Sequence, residues 1–159
     1  MNGIYVHIPY CVKKCGYCDF YRSVKLKYMP QVVEMMHSEL EAQCDFIHDK
    51  AIRTIYFGGG TPSLLTAEQI EGIISHARRL FDCSDVEEIT LEANPDDLTE
   101  EYVQGLRTLP FNRVSIGIQS FHDRTLRLVG RRHTAQEAIE AGHRCQRMGF
   151  TNISIDIMY

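Results

Sequence analysis

Arg113-Val-Ser-Ile-Gly-Ile-Gln119 alternates in character, with Val114, Ile116 and Ile118 on one side and Ser115, Gly117 and Gln119 on the other. Successive side chains of a strand point to opposite faces, so this stretch reads as a strand with one apolar and one small, polar face. Glu88–Ala93 repeats the pattern, with Ile89, Leu91 and Ala93 set against Thr90, Glu92 and the following Asn94. Asn152–Tyr159 does so again, with Ile153, Ile155 and Ile157 against Ser154, Asp156 and Met158. Further β-rich runs lie at Ile4–Ile8 and Thr54–Phe57. Helical stretches separate them, near Met29–Ile47, Ala67–Phe81, Glu100–Leu109 and Ala135–Met148. Thr66 with Gln69 and Thr134 with Glu137 read as capping boxes, and Gly149 stands where a helix-ending glycine belongs.

The β-α alternation predicts parallel strands joined by right-handed crossovers. Parallel strands covered on both faces read as continuous apolar runs, whereas these alternate. The expected fold is therefore α/β, a partial parallel barrel with its isoleucine face under the helices. Its polar face would turn inward to a ligand near the C-terminal strand ends, where Glu92, Gln119 and Asp156 fall. An antiparallel sheet with one wet face is the alternative, and the intervening helices argue against it. About five β-α units are present, fewer than a closed eight-unit barrel needs. No helix follows Ile153–Tyr159, so residues 1–159 are expected to be a core domain truncated at its C-terminus, or one whose last edge something else covers.

Hydrophobic residues make up 44% and charged residues 24%, a globular composition. A formal net charge of −4 gives no reason to expect nucleic acid as a partner. There is no basic segment followed by an apolar run at the N-terminus, and no stretch near the ~18 apolar residues of a membrane span. The expected location is the cytoplasm. In that compartment six cysteines read as metal ligands or buried thiols rather than disulfides. Cys44, Cys83 and Cys145 stand alone in helix-like stretches and are expected to be buried or half-buried thiols.

The other three cysteines lie together in Cys11-Val-Lys-Lys-Cys15-Gly-Tyr-Cys18. Structural zinc takes four ligands, commonly from paired knuckles, and only His7 or Cys44 is at hand to complete such a site. An iron–sulfur cluster also takes thiolates, and three would leave one iron of a four-iron cluster open to a substrate. Lys13 and Lys14 either offset cluster charge or serve solubility; Tyr17 either packs on a flat ligand or merely shields. Gly58-Gly-Gly60, after a strand, lets backbone approach a ligand or makes a tight turn, and Pro62 suits a rigid turn exit. Glu92 and Asp156 suit an ammonium or ribose hydroxyls. Arg131 can fork onto a carboxylate, or form surface ion pairs beside Arg132 and His133. Gln119 fits either a ligand contact or a satisfied interior amide.

With the flanking residues, Cys-x3-Cys-x2-Cys at the end of a first strand resembles the radical S-adenosylmethionine (SAM) superfamily. Tyr5-Val-His-Ile-Pro-Tyr-Cys11, Tyr56-Phe-Gly-Gly-Gly-Thr-Pro62, Glu92-Ala-Asn-Pro95, Ser115-Ile-Gly-Ile-Gln-Ser-Phe121 and Asp156-Ile-Met-Tyr159 are similar to the oxygen-independent coproporphyrinogen III oxidase group, and within it to the HemW heme-chaperone branch. The resemblance implies a 4Fe-4S cluster on Cys11, Cys15 and Cys18, its open iron chelated by S-adenosyl-L-methionine. Reduction then cleaves the sulfonium to methionine and a 5′-deoxyadenosyl radical. It places Gly59, Gly60 and Thr61 at the methionine end, and Tyr5, Tyr17, Glu92, Gln119, Arg131 and Asp156 along the SAM pocket. Where the oxidase branch typically has a further cysteine, this chain has Phe20, as the chaperone branch does. The resemblance thus implies a heme-binding chaperone, with an oxidase that decarboxylates coproporphyrinogen III to protoporphyrinogen IX as the alternative. It also implies heme in the full-length protein, with its ligand beyond Tyr159, and a homodimer, a heme-acceptor protein or a membrane surface as further partners.

Overall fold

The computed structural model describes residues 2–159. Strands β1 (Asn2–Ile8), β2 (Ile52–Gly59), β3 (Glu88–Ala93), β4 (Arg113–Gln119) and β5 (Asn152–Ile157) form one sheet in sequential order, every neighbouring pair parallel. The crossovers carry α1 (Met29–Ala42), α2 (Ala67–Leu80), α3 (Glu100–Leu106) and, between β4 and β5, α4 (Asp123–Val129) and α5 (Ala135–Arg147). Right-handed crossovers between adjacent strands in sequential order all pass over the same face, which gathers the helices on one side. The result is the wall of a partial β/α barrel, as the alternation predicts.

Register aligns the two faces across the sheet. Val6, Phe57, Leu91 and Val114 are successive partners and all are buried. Against this row α2 sets Ile70, Ile73, Ile74 and Ala77, a stripe spaced i, i+3, i+4, i+7, and α5 sets the small Ala138, Ala141 and Cys145. Each fully buried Leu, Ile or Phe contributes roughly 1.5–3 kcal/mol relative to exposure, so this layer dominates stability.

Both capping boxes form, at Thr66 and Thr134, and Gly149 ends its helix at φ +93°. Two helices are shorter than the periodicity suggests. α1 stops at Ala42 and the chain continues in turns, from which Ile47 packs on the core while Phe46 is 82% exposed. α3 stops at Leu106, where the Thr108 hydroxyl takes the Gly105 carbonyl and Pro110 disfavours helix at the residue before it. Cys44 and Cys83 accordingly lie in turns, not helices; only Cys145 is helical and fully buried. α4 has no counterpart among the expected helices, because its N-cap, His122, makes no side-chain cap and only Leu126 is buried.

The polar face divides along its length. Its lower half seals itself: Arg113 donates to Ser154 Oγ (2.9 Å) and pairs with Glu88 (3.6 Å), while Ser154 donates to Ser115 (2.9 Å). Thr90 and Ser115 are thereby buried. Only the upper, C-terminal half stays open. On the helix side β5 departs from expectation, for Ile155 and Ile157 are 45% and 49% exposed with no helix over them.

Candidate functional site

The loops at the C-terminal strand ends enclose a cavity of about 310 Å³. Cys11, Cys15, Cys18, Tyr17, Gly59, Gly60, Thr61, Glu92, Gln119, Arg131 and Asp156 all line it. Tyr5 does not. Its ring stacks on Tyr56 (centroids 5.8 Å apart) on the inner face of the sheet, and its hydroxyl lies 3.4 Å from His7 Nδ1.

The loop after β1 carries the three cysteines. It is closed at its base, where Cys11 N donates to Ser23 O (3.0 Å) and Ser23 N to Pro9 O (2.8 Å). Thr61 Oγ1 donates to Cys11 Sγ (3.4 Å), and Arg131 Nη1 reaches Cys15 Sγ (3.7 Å) and Tyr17 Oη (3.5 Å). Burial pushes the Cys11 thiol up, against the pull of the Thr61 hydrogen bond and the Arg22 charge. All six cysteines are free thiols.

The loop after β2 is built for close approach. Gly59 has φ +107°, which glycine adopts without strain. A Cβ on Gly60 would sit 2.5 Å from Tyr10 O and 2.8 Å from Ile8 O, so only glycine lets this backbone lie against the cysteine loop. Glu92, at the end of β3, is fixed by two donors, Tyr56 Oη (2.7 Å) and Gly59 N (3.1 Å). Burial and the bond to Glu92 both push the Tyr56 hydroxyl well above its usual range, so it stays a donor. Gln119 is the one non-glycine residue with positive φ (71°) among the described residues. Such strain recurs at ligand sites, and here it lies at the cavity wall.

Arg131 follows Gly130, whose φ of +80° ends α4 and turns the chain back. Its Nη2 donates to Asn94 Oδ1 (2.6 Å) and to the Gly117 carbonyl, while its Nε is buried with no partner. Arg132 instead pairs with Asp96 (2.7 Å) and Asp97 (2.8 Å), so the surface-ion-pair alternative belongs to Arg132. Burial alone would raise the Asp96 carboxyl, but the neighbouring His133 ring (Nδ1 3.7 Å from Oδ1) and the Arg132 charge hold it below the usual carboxylate value. Asn94, Tyr56, Arg22 and the Asp96–Asp97 pair were not legible as site residues from sequence. Asn94 alone had a signal there, as a polar-face residue just past a strand.

The donor set fits an iron–sulfur cluster. Three free thiols open into one cavity, yet among the described residues no three His, Cys, Asp or Glu side chains converge to hold a single metal ion. A cluster takes one thiolate on each of three irons, and these three thiols supply that donor set. The cavity beside the thiols, lined by Glu92, Arg131 and Asp156, leaves room for a polar ligand, and Arg131 Nε has no protein partner.

The profile of the Radical SAM superfamily matches residues 5–159. The heme chaperone HemW of Lactococcus lactis subsp. lactis (strain IL1403) is 37% identical over 158 residues, 99% of this chain and 41% of that protein. The oxygen-independent coproporphyrinogen-III oxidase-like protein HemZ of Bacillus subtilis (strain 168) is 37% identical over 163 residues, 98% of this chain and 32% of that one. Among solved structures, the coproporphyrinogen III oxidase HemN of Escherichia coli, described as a radical SAM enzyme, superposes with a TM-score of 0.87 at 28% identity, covering 99% of this chain and 37% of that one. The chain therefore spans well under half the length of these relatives.

Proposed function

The chain belongs to the radical SAM superfamily, and from that premise we propose that it holds a 4Fe-4S cluster on Cys11, Cys15 and Cys18, with SAM in the adjoining cavity, in the service of heme binding and delivery. Membership of the superfamily implies the cluster and SAM; the residue roles and heme are our reading. The observation that carries it is the shared cavity, in which three free thiols open beside Glu92, Arg131 and Asp156. That juxtaposition matches a ligand with an ammonium, a carboxylate and a ribose.

The residues would act by holding and orienting. Gly59, Gly60 and Thr61 present backbone and a hydroxyl to the methionine end. Glu92, already fixed by Tyr56 and Gly59, receives a cationic group without rearranging. Arg131 faces a carboxylate from the cavity wall, while Gln119 and Asp156 meet the nucleoside and Tyr17 covers the open side. Tyr5 serves indirectly by stacking on Tyr56. When bound, cluster and SAM supply one-electron cleavage of the sulfonium, a route to hydrogen abstraction.

Phe20 supports the chaperone over the oxidase. It lines the cavity and offers no thiol at the second position after Cys18. The relatives named as heme chaperones agree. Anaerobic reconstitution with iron and sulfide should give a brown protein with cluster absorption and a paramagnetic signal on reduction, and Cys11→Ala should abolish both. A colourless protein retaining stoichiometric zinc would sink the cluster assignment. Heme titration and anaerobic porphyrinogen turnover, run on the full-length protein, separate the two tasks. Heme binding without turnover is expected, and robust turnover would replace the chaperone with the oxidase.

A further inference from the structure

The cysteine loop has little backbone structure of its own. Above its base it makes one internal hydrogen bond, Cys18 N to Cys15 O (3.4 Å), and one outward, Gly16 N to Val129 O (3.1 Å). One side chain gathers the rest. Arg22 Nη1 donates to Phe20 O (2.7 Å), and Arg22 Nη2 donates to both Cys15 O (3.1 Å) and Cys18 O (2.6 Å). A planar guanidinium with fixed donors can hold three carbonyls in one geometry; the single rotatable ammonium of lysine cannot. Arg22 also lines the cavity, and its Nε is buried without a partner.

From this geometry we infer that Arg22 is a positioning residue for the cluster: it fixes the spacing of Cys15 and Cys18 through their carbonyls and sets a permanent positive charge beside the thiolates. This rests on the cluster reading above. Two effects follow. Without the tie the loop should open more readily and release iron faster. Without the charge, and with donors lost beside an anionic cluster, adding an electron should be harder, because a nearby cation stabilises the more negative state.

The test compares wild type, Arg22→Gln and Arg22→Lys after anaerobic reconstitution. Iron release to a chelator is followed by absorbance, and the reduction potential by titration monitored through the paramagnetic signal. Arg22→Gln should release iron at least about tenfold faster, the scale of losing hydrogen bonds from a charged donor, and its potential should move negative. Arg22→Lys should keep a potential near wild type while still releasing iron faster. Should Arg22→Gln fail to load, Arg22→Lys carries the comparison. Hydrogen exchange of the metal-free protein gives a second reading: residues 15–20 should lose protection while the strands keep theirs. Wild-type release and potential in Arg22→Gln would overturn the assignment. Faster release with an unmoved potential would also overturn it, leaving Arg22 a structural tie only. Failure of the wild type itself to take up a cluster would sink the underlying reading instead, and is told apart by that control.

Discussion

A methyl group at Gly60 would meet backbone rather than a yielding side chain, with Tyr10 O 2.5 Å and Ile8 O 2.8 Å from the new carbon. Gly60→Ala should therefore push the β2 loop off the cysteine loop, costing about 1–3 kcal/mol of stability in urea titration, and should reduce iron retained after reconstitution. Asp156 is the opposite case. It lines the cavity and, among the described residues, its side chain makes no hydrogen bond or ion pair. Asp156→Ala should leave fold and cluster intact while weakening SAM binding about tenfold or more by calorimetry, the scale of a lost charged hydrogen bond. Unchanged affinity would sink its assignment. Glu92, Gln119 and Asp156 were legible because strand alternation puts alternate polar side chains on one face; the cysteines, the glycine loop, Tyr17 and Arg131 were legible as motifs. Tyr5 shows the limit of that logic: it has the right face but stands below the opening, beside Tyr56. Arg22 was not legible, because its partners are carbonyls, which leave no trace in side-chain chemistry.

At the scale of elements, α4 is the least legible segment and one of the most consequential. Its left-handed Gly130 aims Arg131 at the cysteine loop, and its Val129 carbonyl accepts from Gly16 N (3.1 Å). A seven-residue helix with no side-chain cap and one buried residue offers little pattern to read. The longer helices announce themselves by caps; Thr66→Ala should remove one and cost about 1 kcal/mol by thermal or urea unfolding. Behind α4 the loop is clasped by Arg132 on Asp96 and Asp97. The folded Asp96 carboxyl lies below its usual value of 3.8. A depressed carboxylate stabilises above its unfolded value and loses that contribution as pH falls through the folded one. Stability should therefore drop on acidification below about pH 4. Asp96→Asn should flatten that limb of the pH profile, measured by urea midpoints across pH; an unaltered acid limb would assign the loss to other carboxylates.

For the whole molecule, sequential parallel strands gather the helices on one side and set the polar face and the C-terminal loops, which carry the candidate ligand groups, around one cavity. The same order makes β5 an outermost strand, with Ile155 and Ile157 exposed where β3 and β4 have their apolar residues covered. Among the described residues no helix is long and apolar enough to cross a membrane.

The sequence by itself determined the parallel α/β class, the face assignments, the cysteine loop and most of the cavity lining. These follow from side-chain period, capping chemistry and motif spacing, which are local. Only the tertiary structure decided that the lower polar face seals itself through Arg113, that Arg131 reaches Asn94 and the cysteine loop while Arg132 pairs with Asp96 and Asp97, and that Arg22 gathers the loop carrying Cys15 and Cys18. Each of these depends on where a flexible side chain finds its partner, which no sequence period encodes.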